Sequence, residues 1–268
     1  MNILTQIVEK KRERVKESKR VFSVETLRGR AKGLSHPGME RFTGALRRIN
    51  DRIRVIAELK KASPSAGLIR PDFNPLDLAT DYVTAGCDAI SVLTEQDFFQ
   101  GSPDFLLSVR EGFPDTPLLR KDFIFDYYQI VESAALGADA VLIIVALVRG
   151  TRLRDLITAA RELNMAALVE VHSTEEAREA AAAGADIIGI NNRNLITFLT
   201  DIRHTAEIIE TIPDRQGKLI ISESGINTRN DISYLLDLGV DAALIGERFM
   251  RTPKPGDAIR HLIYGENV

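Results

Sequence analysis

The sequence predicts an α/β protein, a (βα)8 TIM barrel of parallel strands behind an N-terminal helical extension. Three observations carry this. From Arg54 onward, eight short apolar runs alternate with eight segments of helical length. Strands that alternate with helices form a parallel sheet with right-handed crossovers. A four-residue pattern recurs at Gly86-Cys87-Asp88-Ala89, Gly137-Ala138-Asp139-Ala140, Gly184-Ala185-Asp186-Ile187 and Gly239-Val240-Asp241-Ala242. Its period of roughly fifty residues is about two strand-helix units. The chain has 268 residues, and such a barrel takes about 250.

The extension spans residues 1–50. Ile3, Leu4, Ile7, Val8 and Val15 are spaced for one face of a helix, whose other face carries Lys10, Lys11, Arg12, Arg14, Lys16, Lys19 and Arg20. The expectation is that the apolar stripe docks while the charges stay solvated. Ser35-His36-Pro37-Gly38 reads as a turn, with His36 standing alone.

The barrel spans residues 51–268. Its strands are Val55-Ala57, Ala89-Leu93, Leu118-Leu119, Ala140-Ala146, Ala166-Val171, Asp186-Ile190, Leu219-Ile221 and Ala242-Ile245. Helices follow around 75–85, 104–111, 126–136, 151–163, 174–183, 202–211, 228–238 and 255–263. Ser173-Thr174-Glu175-Glu176 has capping-box spacing for the fifth. In each repeat, glycine can end a helix in the left-handed conformation, and a buried strand starts just after Asp. An open doubly wound sheet is the alternative, but it would want a Gly-rich phosphate loop after its first strand. The stretch there, Lys60 to Gly67, is neither G-x-G-x-x-G nor a P-loop.

Composition excludes several classes. Hydrophobic content of 44% and charged content of 27% are ordinary for a soluble globular protein. A net charge of −3 gives no bulk attraction to nucleic acid or an anionic membrane, so an anionic ligand needs a local cationic cluster. The single cysteine, Cys87, can form no internal disulfide and has no metal-spaced partner; a small buried residue is its expected role. No apolar run reaches about 18 residues, and the N-terminus is too charged for a signal peptide. The expectation is a cytoplasmic protein; composition leaves the oligomeric state open, with a monomer favoured.

Working residues in such a barrel sit at the C-terminal strand ends. The first strand offers Glu58 and Lys60 on one face, since side chains alternate. Buried opposite charges are costly unless paired or hydrated, and alone this pair reads equally as a structural ion pair. The second strand adds Thr94, Glu95, Phe98 and Phe99; the third adds Lys121, Asp122 and Phe123. The fifth gives Glu170 and His172, and the sixth Asn191, Asn192 and Arg193. The seventh gives Ser222, Glu223, Ser224 and Gly225, and the eighth Gly246 and Glu247. Only the fourth, ending Val145-Ala146-Leu147, stays apolar, a wall for a flat ring together with the phenylalanines. Ser224-Gly225 and Gly246-Glu247 place small residues where backbone N–H groups can approach a phosphate.

Six stretches together resemble the indole-3-glycerol-phosphate synthase family. They are A-E-L-K-K-A-S-P-S at 57–65, L-T-E-Q-D-F-F-Q-G-S at 93–102, L-R-K-D-F-I at 119–124, G-I-N-N-R-N-L at 189–195, S-E-S-G-I at 222–226 and I-G-E-R-F-M at 245–250. The extension is similar to the family's extra helix over the barrel bottom or rim. The resemblance implies a lyase of tryptophan biosynthesis, a decarboxylase acting on a phosphosugar-anthranilate substrate with no metal or organic cofactor. It implies Lys121 as general acid, Lys60 on the substrate carboxylate, and Glu58 and Glu170 holding the lysines and moving later protons. Asn191 would bind substrate hydroxyls and Arg193 a carboxylate or neighbouring acids; Glu223 and Ser224 are further site residues. Phe99, Phe123 and Leu142 would wall the ring, and Ser224, Gly225, Gly246 and Glu247 would hold the phosphate. Some members carry a base where this chain has Ala62, which turns the expectation for phosphate toward Lys61 and Ser63. Others carry Ser where Glu247 stands. Rival readings on the same fold are an Amadori isomerase, a Schiff-base aldolase, or a non-catalytic phosphosugar-binding barrel.

Overall fold

The computed structural model describes residues 3–33, 38–48, 52–194 and 197–265. The turn expected at His36 lies largely outside them. Three helices lead, α1 (Ile3–Val21), α2 (Val24–Gly33) and α3 (Gly38–Leu46). Then come β1 (Arg54–Leu59), the hairpin β2 (Ala62–Ser63) and β3 (Gly67–Leu68), α4 (Pro75–Thr84), β4 (Ala89–Leu93), α5 (Pro103–Gly112), β5 (Leu118–Lys121) and α6 (Tyr127–Ala135). Next are β6 (Ala140–Ile144), α7 (Gly150–Glu162), β7 (Ala166–Val171), α8 (Thr174–Ala182), β8 (Ile187–Asn191) and α9 (Arg203–Ile209). The chain ends with β9 (Leu219–Glu223), α10 (Arg229–Asp237), β10 (Ala242–Ile245), α11 (Glu247–Arg251) and α12 (Pro255–Tyr264). Eight parallel strands close in the order β1-β10-β9-β8-β7-β6-β5-β4, which rules out the open sheet.

Local chemistry sets the boundaries. Asn74, Ser102, Asp126 and Thr228 each accept N–H groups of the helix that follows them. The box expected at Ser173 is only half formed. Ser173 Oγ accepts the Glu176 N–H at 3.2 Å, but the Glu176 carboxylate reaches past Ser173 to the His172 N–H at 2.8 Å. The repeat also has a structural use. Its four glycines hold φ between 76° and 87°. Asp88, Asp139 and Asp241 accept the N–H of Val55, Leu118 and Ile220 on the neighbouring strand, at 2.9, 2.8 and 2.8 Å. The fourth, Asp186, turns outward to Arg161 instead. Cys87 is partly buried, and its thiol is pushed up to about 12, mainly by burial.

The extension touches both ends of the barrel. Phe42 and Leu46 of α3, each fully buried, close the N-terminal end among Ile56, Leu119, Ile187 and Leu219. Helix α1 crosses the opposite face, where Lys11, Arg14 and Lys19 pair with Asp122, Asp97 and Asp126 at 2.7, 2.8 and 2.7 Å. The expectation that this helix keeps all its charges in water fails at Lys11, which is 5% exposed. There Asp122 meets its ammonium. Asp122 itself is also met by Arg120, 1% exposed and bonded further to Glu132, Thr94 and Ser133. Burial alone would raise Asp122, but Lys11 and Arg120 hold its carboxyl down to about 2. Among the described residues, no helix is long and apolar enough to cross a membrane.

Phe42→Ala should leave a cavity at the closed end, far from the charged rim. The expected cost is about 3–5 kcal/mol, read as a lower urea midpoint with an unchanged slope and an unchanged turnover number. A turnover loss without a midpoint shift would contradict this placement.

Candidate active site

The inward-facing positions of alternate strands build the site in layers. Ile56, Leu119, Leu168 and Ile221, on β1, β5, β7 and β9, form an apolar layer. Two residues further along each strand, side chains point the same way, and there the layer is Glu58, Lys121, Glu170 and Glu223. Four ionisable groups thus stand directly on a dry floor. A cavity of about 480 Å³ opens above them. Leu142, Ile144 and Leu244 complete its base, while Phe99 and Phe123 stand at its side with ring centroids 5.9 Å apart. Ile3, Leu4 and Ile7 of α1 also line it.

Two ion-paired groups occupy the centre. Lys60 Nζ lies 2.7 Å from Glu58 Oε1. Lys121 Nζ lies 3.2 Å from Glu170 Oε2 and is in closer contact with Glu223 Oε2. Burial works against the Lys121 charge, but Glu223 and Glu170 outweigh it and keep the ammonium protonated. The two carboxylates separate. Burial lifts Glu170, yet Lys121, His172 and the Asn191 amide together hold it below its ordinary value. Burial lifts Glu223 too, Lys121 offsets part of that, and the neighbouring Glu170 charge adds to the rise, leaving it pushed up to about 7. Glu170 is therefore held in its ionised form, while Glu223 is pushed toward neutrality.

Glycine makes room for this layer. A Cβ on Gly246 would strike the Glu58 carboxylate, and one on Gly189 would strike that of Glu223. Gly246 has an ordinary φ of −122°. Its smallness therefore serves Glu58 as well as any approaching ligand, a reason invisible in the sequence. At the other loop, Ser224 and Gly225 are both left-handed, with φ of 69° and 77°. Such a conformation is unusual for serine and is often held at functional sites.

The cavity brings together Glu58, Lys60, Phe99, Lys121, Phe123, Leu142, Glu170, Asn191, Arg193, Glu223, Ser224, Gly225, Gly246 and Glu247, all expected there. Lys61 and Ser63 are not on its wall. The β2–β3 hairpin ties the Lys61 carbonyl to the Ile69 and Arg70 N–H groups and Ser63 Oγ to the Ala66 N–H, and Pro64 and Ser65 line the cavity instead. Other strand-end residues act as supports. Glu95 accepts the N–H groups of Asp97, Phe98 and Phe99, fixing the loop that carries Phe99. Thr94 donates to Asp122, and the Asn192 amide donates to Ser222 Oγ and the Ser224 carbonyl. Asn191 Oδ1 accepts the Arg193 N–H at 3.0 Å. Arg193 reaches Ser65 Oγ at 2.9 Å and Glu247 at 3.2 Å, and Arg251 takes the other Glu247 oxygen. Burial would raise Glu247, but these two guanidinium groups hold it below its usual value.

Sequence reasoning missed the α1 roof, Arg248 and Arg251. The stripe of Ile3, Leu4 and Ile7 was visible, but amphipathicity names no docking target. Arg248 also lines the cavity, and its buried Nε has no hydrogen-bond partner among the described residues. Among the described residues, no group of three or more His, Cys, Asp or Glu is arranged to hold a metal ion.

A family model described as indole-3-glycerol phosphate synthase matches residues 4–262. The indole-3-glycerol phosphate synthase of Acetivibrio thermocellus is 45% identical over 261 residues, covering 96% of this chain and 98% of that protein. Its counterpart in Acidithiobacillus ferrooxidans is 43% identical over 265 residues, 98% of this chain and 99% of that protein. The crystal structure of KGPDC from Streptococcus mutans superposes with a TM-score of 0.59 at 15% identity, covering 79% of this chain and 95% of that one. That last likeness speaks for the fold alone.

The raised Glu223 carboxyl has a consequence for stability. Between its ordinary value of 4.5 and its buried value of about 7, the folded chain holds a proton that the unfolded chain has released. This contribution is complete below 4.5 and is lost as pH rises through 7. Glu223→Gln should therefore lose less stability than the parent between about pH 5 and pH 8, measured by urea denaturation at both. Parallel losses in the two proteins would contradict it.

Proposed function

The chain belongs to the indole-3-glycerol phosphate synthase family, and from that premise we propose how its cavity divides the chemistry. The reaction closes the ring of 1-(2-carboxyphenylamino)-1-deoxyribulose 5-phosphate, giving indole-3-glycerol phosphate, carbon dioxide and water. It is a carboxy-lyase step of tryptophan biosynthesis. The observation that carries the assignment is Lys121, held protonated between Glu170 and Glu223 on an apolar floor.

The anthranilate ring lies against Phe99, Phe123 and Leu142, its carboxylate meets Lys60, and the sugar carbonyl meets Lys121. The ring carbon bearing the carboxylate attacks the carbonyl carbon, and the oxygen takes the Lys121 proton as negative charge develops there. Loss of carbon dioxide returns its bonding electrons to the ring. The new hydroxyl then leaves as water with a proton from Lys60, while Glu170 takes a proton from the adjacent carbon and the indole double bond forms. Glu223, titrating near neutrality, returns a proton to Lys121. Glu58 pairs with Lys60 and holds it in place, and Asn191 orients Glu170 and the substrate hydroxyls. No electrons are gained or lost overall, so the sequence of steps requires no redox cofactor, and the two lysines supply its acids. An aldolase would need a neutral lysine as nucleophile, which a lysine between two carboxylates supplies poorly.

The phosphate is assigned to the backbone of Ser224, Gly225, Gly246 and Glu247. Glu247 turns its side chain to Arg193 and Arg251, so its charge is neutralised away from the anion. Arg248 is the cation assigned to the phosphate in place of Lys61 and Ser63, because its Nε is buried without a partner among the described residues. Residues 51–268 are read as one catalytic domain and 1–50 as its extension. The net charge of −3 and the absence of long apolar runs favour a cytoplasmic protein without nucleic-acid or membrane partners.

Mixing the enzyme with substrate should produce indole absorbance and fluorescence together with carbon dioxide. Lys121→Met should lower kcat by about a hundredfold or more with little loss of binding in a direct titration. Lys60→Met should weaken binding as well, since its contact exists in the ground state. Normal turnover in Lys121→Met would remove it as the acid. Arg248→Met should raise KM by about tenfold, roughly 1.4 kcal/mol, with kcat nearly kept; an unchanged KM would return the phosphate to backbone groups alone.

A further inference from the structure

His172 lies outside the cavity wall, yet its side chain is only 13% exposed and sits at the charged layer's edge. Nε2 is 3.3 Å from Glu170 Oε1, and Nδ1 is 3.6 Å from Glu176 Oε2. Neither ring nitrogen has a well-directed hydrogen bond among the described residues, so the contact is one of charge. A neutral imidazole carries a lone pair on one nitrogen, and here that lone pair would face a carboxylate. Only the doubly protonated ring suits both neighbours.

The surroundings fix that ring from several elements. Glu176 of α8 accepts the His172 backbone N–H at 2.8 Å and is itself backed by Arg149 at 3.1 Å. His204 of α9 donates Nε2–H to the His172 carbonyl at 3.0 Å. Glu223 of β9 contributes a further negative field. On its other side, Glu170 faces Lys121 of β5, the Asn191 amide of β8 and Glu223. Its two oxygens are divided, Oε1 toward His172 and Oε2 toward Lys121.

We propose that His172 is a positioning residue, an imidazolium clamped between Glu176 and Glu170 that keeps Glu170 ionised and its second oxygen on Lys121. The inference rests on Glu170 as the base in the reading above. Burial acts against the His172 charge, but Glu176 and Glu170 outweigh it and raise the ring above its ordinary value. Without that cation, burial and Glu223 would oppose only Lys121 and Asn191 at Glu170. Its proton would then be held more tightly, and the base form would be lost at a higher pH on acidification.

The test is the pH profile of kcat/KM. In His172→Asn the acid limb should move up by about one pH unit, with activity near pH 8 within about threefold of the parent. His172→Lys, which restores a cation, should bring the limb back toward its original position. An unmoved limb, or an equal loss at every pH in both variants, overturns the proposal. Ring chemical shifts of labelled His172 in the parent enzyme provide a measurement that no folding defect can mask: imidazolium at pH 7 is expected, and a neutral ring at pH 6 overturns it. Glu170→Gln separates the two levels. If it keeps parental turnover, the assignment of Glu170 as base falls, whatever the charge found on His172.

Discussion

A buried ammonium between two carboxylates is the constraint on which the rest of the barrel interior depends. One lysine cannot neutralise two carboxylates, and the apolar layer of Ile56, Leu119, Leu168 and Ile221 beneath them offers no solvation. The surplus negative charge is resolved by asymmetry. Glu170 recruits the Asn191 amide and the His172 ring and stays ionised, while Glu223, without comparable partners, rises toward neutrality. The catalytic usefulness of the pair follows from that imbalance, since proton transfer in both directions needs groups whose affinities differ.

Barrel geometry makes such a layer possible at low conformational cost. Glu58, Lys121, Glu170 and Glu223 all come from alternate strands and stand at one level. The strands between them supply small or apolar groups, among them Gly189 and Leu142, leaving space for the carboxylates and a wall for a ring. The same strands feed the loops that carry Ser224, Gly225 and Gly246, so the phosphate end and the charged centre are positioned by one rigid sheet. Stability and function are therefore separated along the barrel axis, with Phe42 and Leu46 sealing one end and ionisable groups crowding the other.

Much of this was legible in the sequence because it is periodic. Alternation within a strand put Glu58 beside Lys60, and the Gly-x-Asp repeat marked the starts of four strands, three of which its Asp staples to a neighbour. The rest depended on contacts between distant segments, which no local pattern encodes. Lys61 and Ser63 were expected to replace the base that some relatives carry where this chain has Ala62, but the β2–β3 hairpin turns them off the wall. Gly246 read as a residue small enough for a phosphate to approach its backbone, and in the fold its smallness also makes room for a carboxylate on β1. Thr94, Glu95 and Asn192 are polar strand ends that hold loops, and their composition is indistinguishable from that of working residues.

The extension shows how far the charged layer reaches. Along β5, Arg120 and Lys121 face opposite ways, one into the barrel's outer shell and one into the cavity. Asp122 follows at the strand's end, where it ties Arg120 to Lys11 of α1. A buried network of this kind adds little net stability, because desolvation consumes much of the attraction. Its value is geometric: removing any member strands a charge, so α1 is held at one position over the strand that presents Lys121. Ile3, Leu4 and Ile7 then face the cavity as a consequence of that anchoring. A hydrophobic stripe alone would let the helix slide; the Lys11–Asp122 contact sets its register, and the roof of the active site is fixed by the residue next to the lysine it covers.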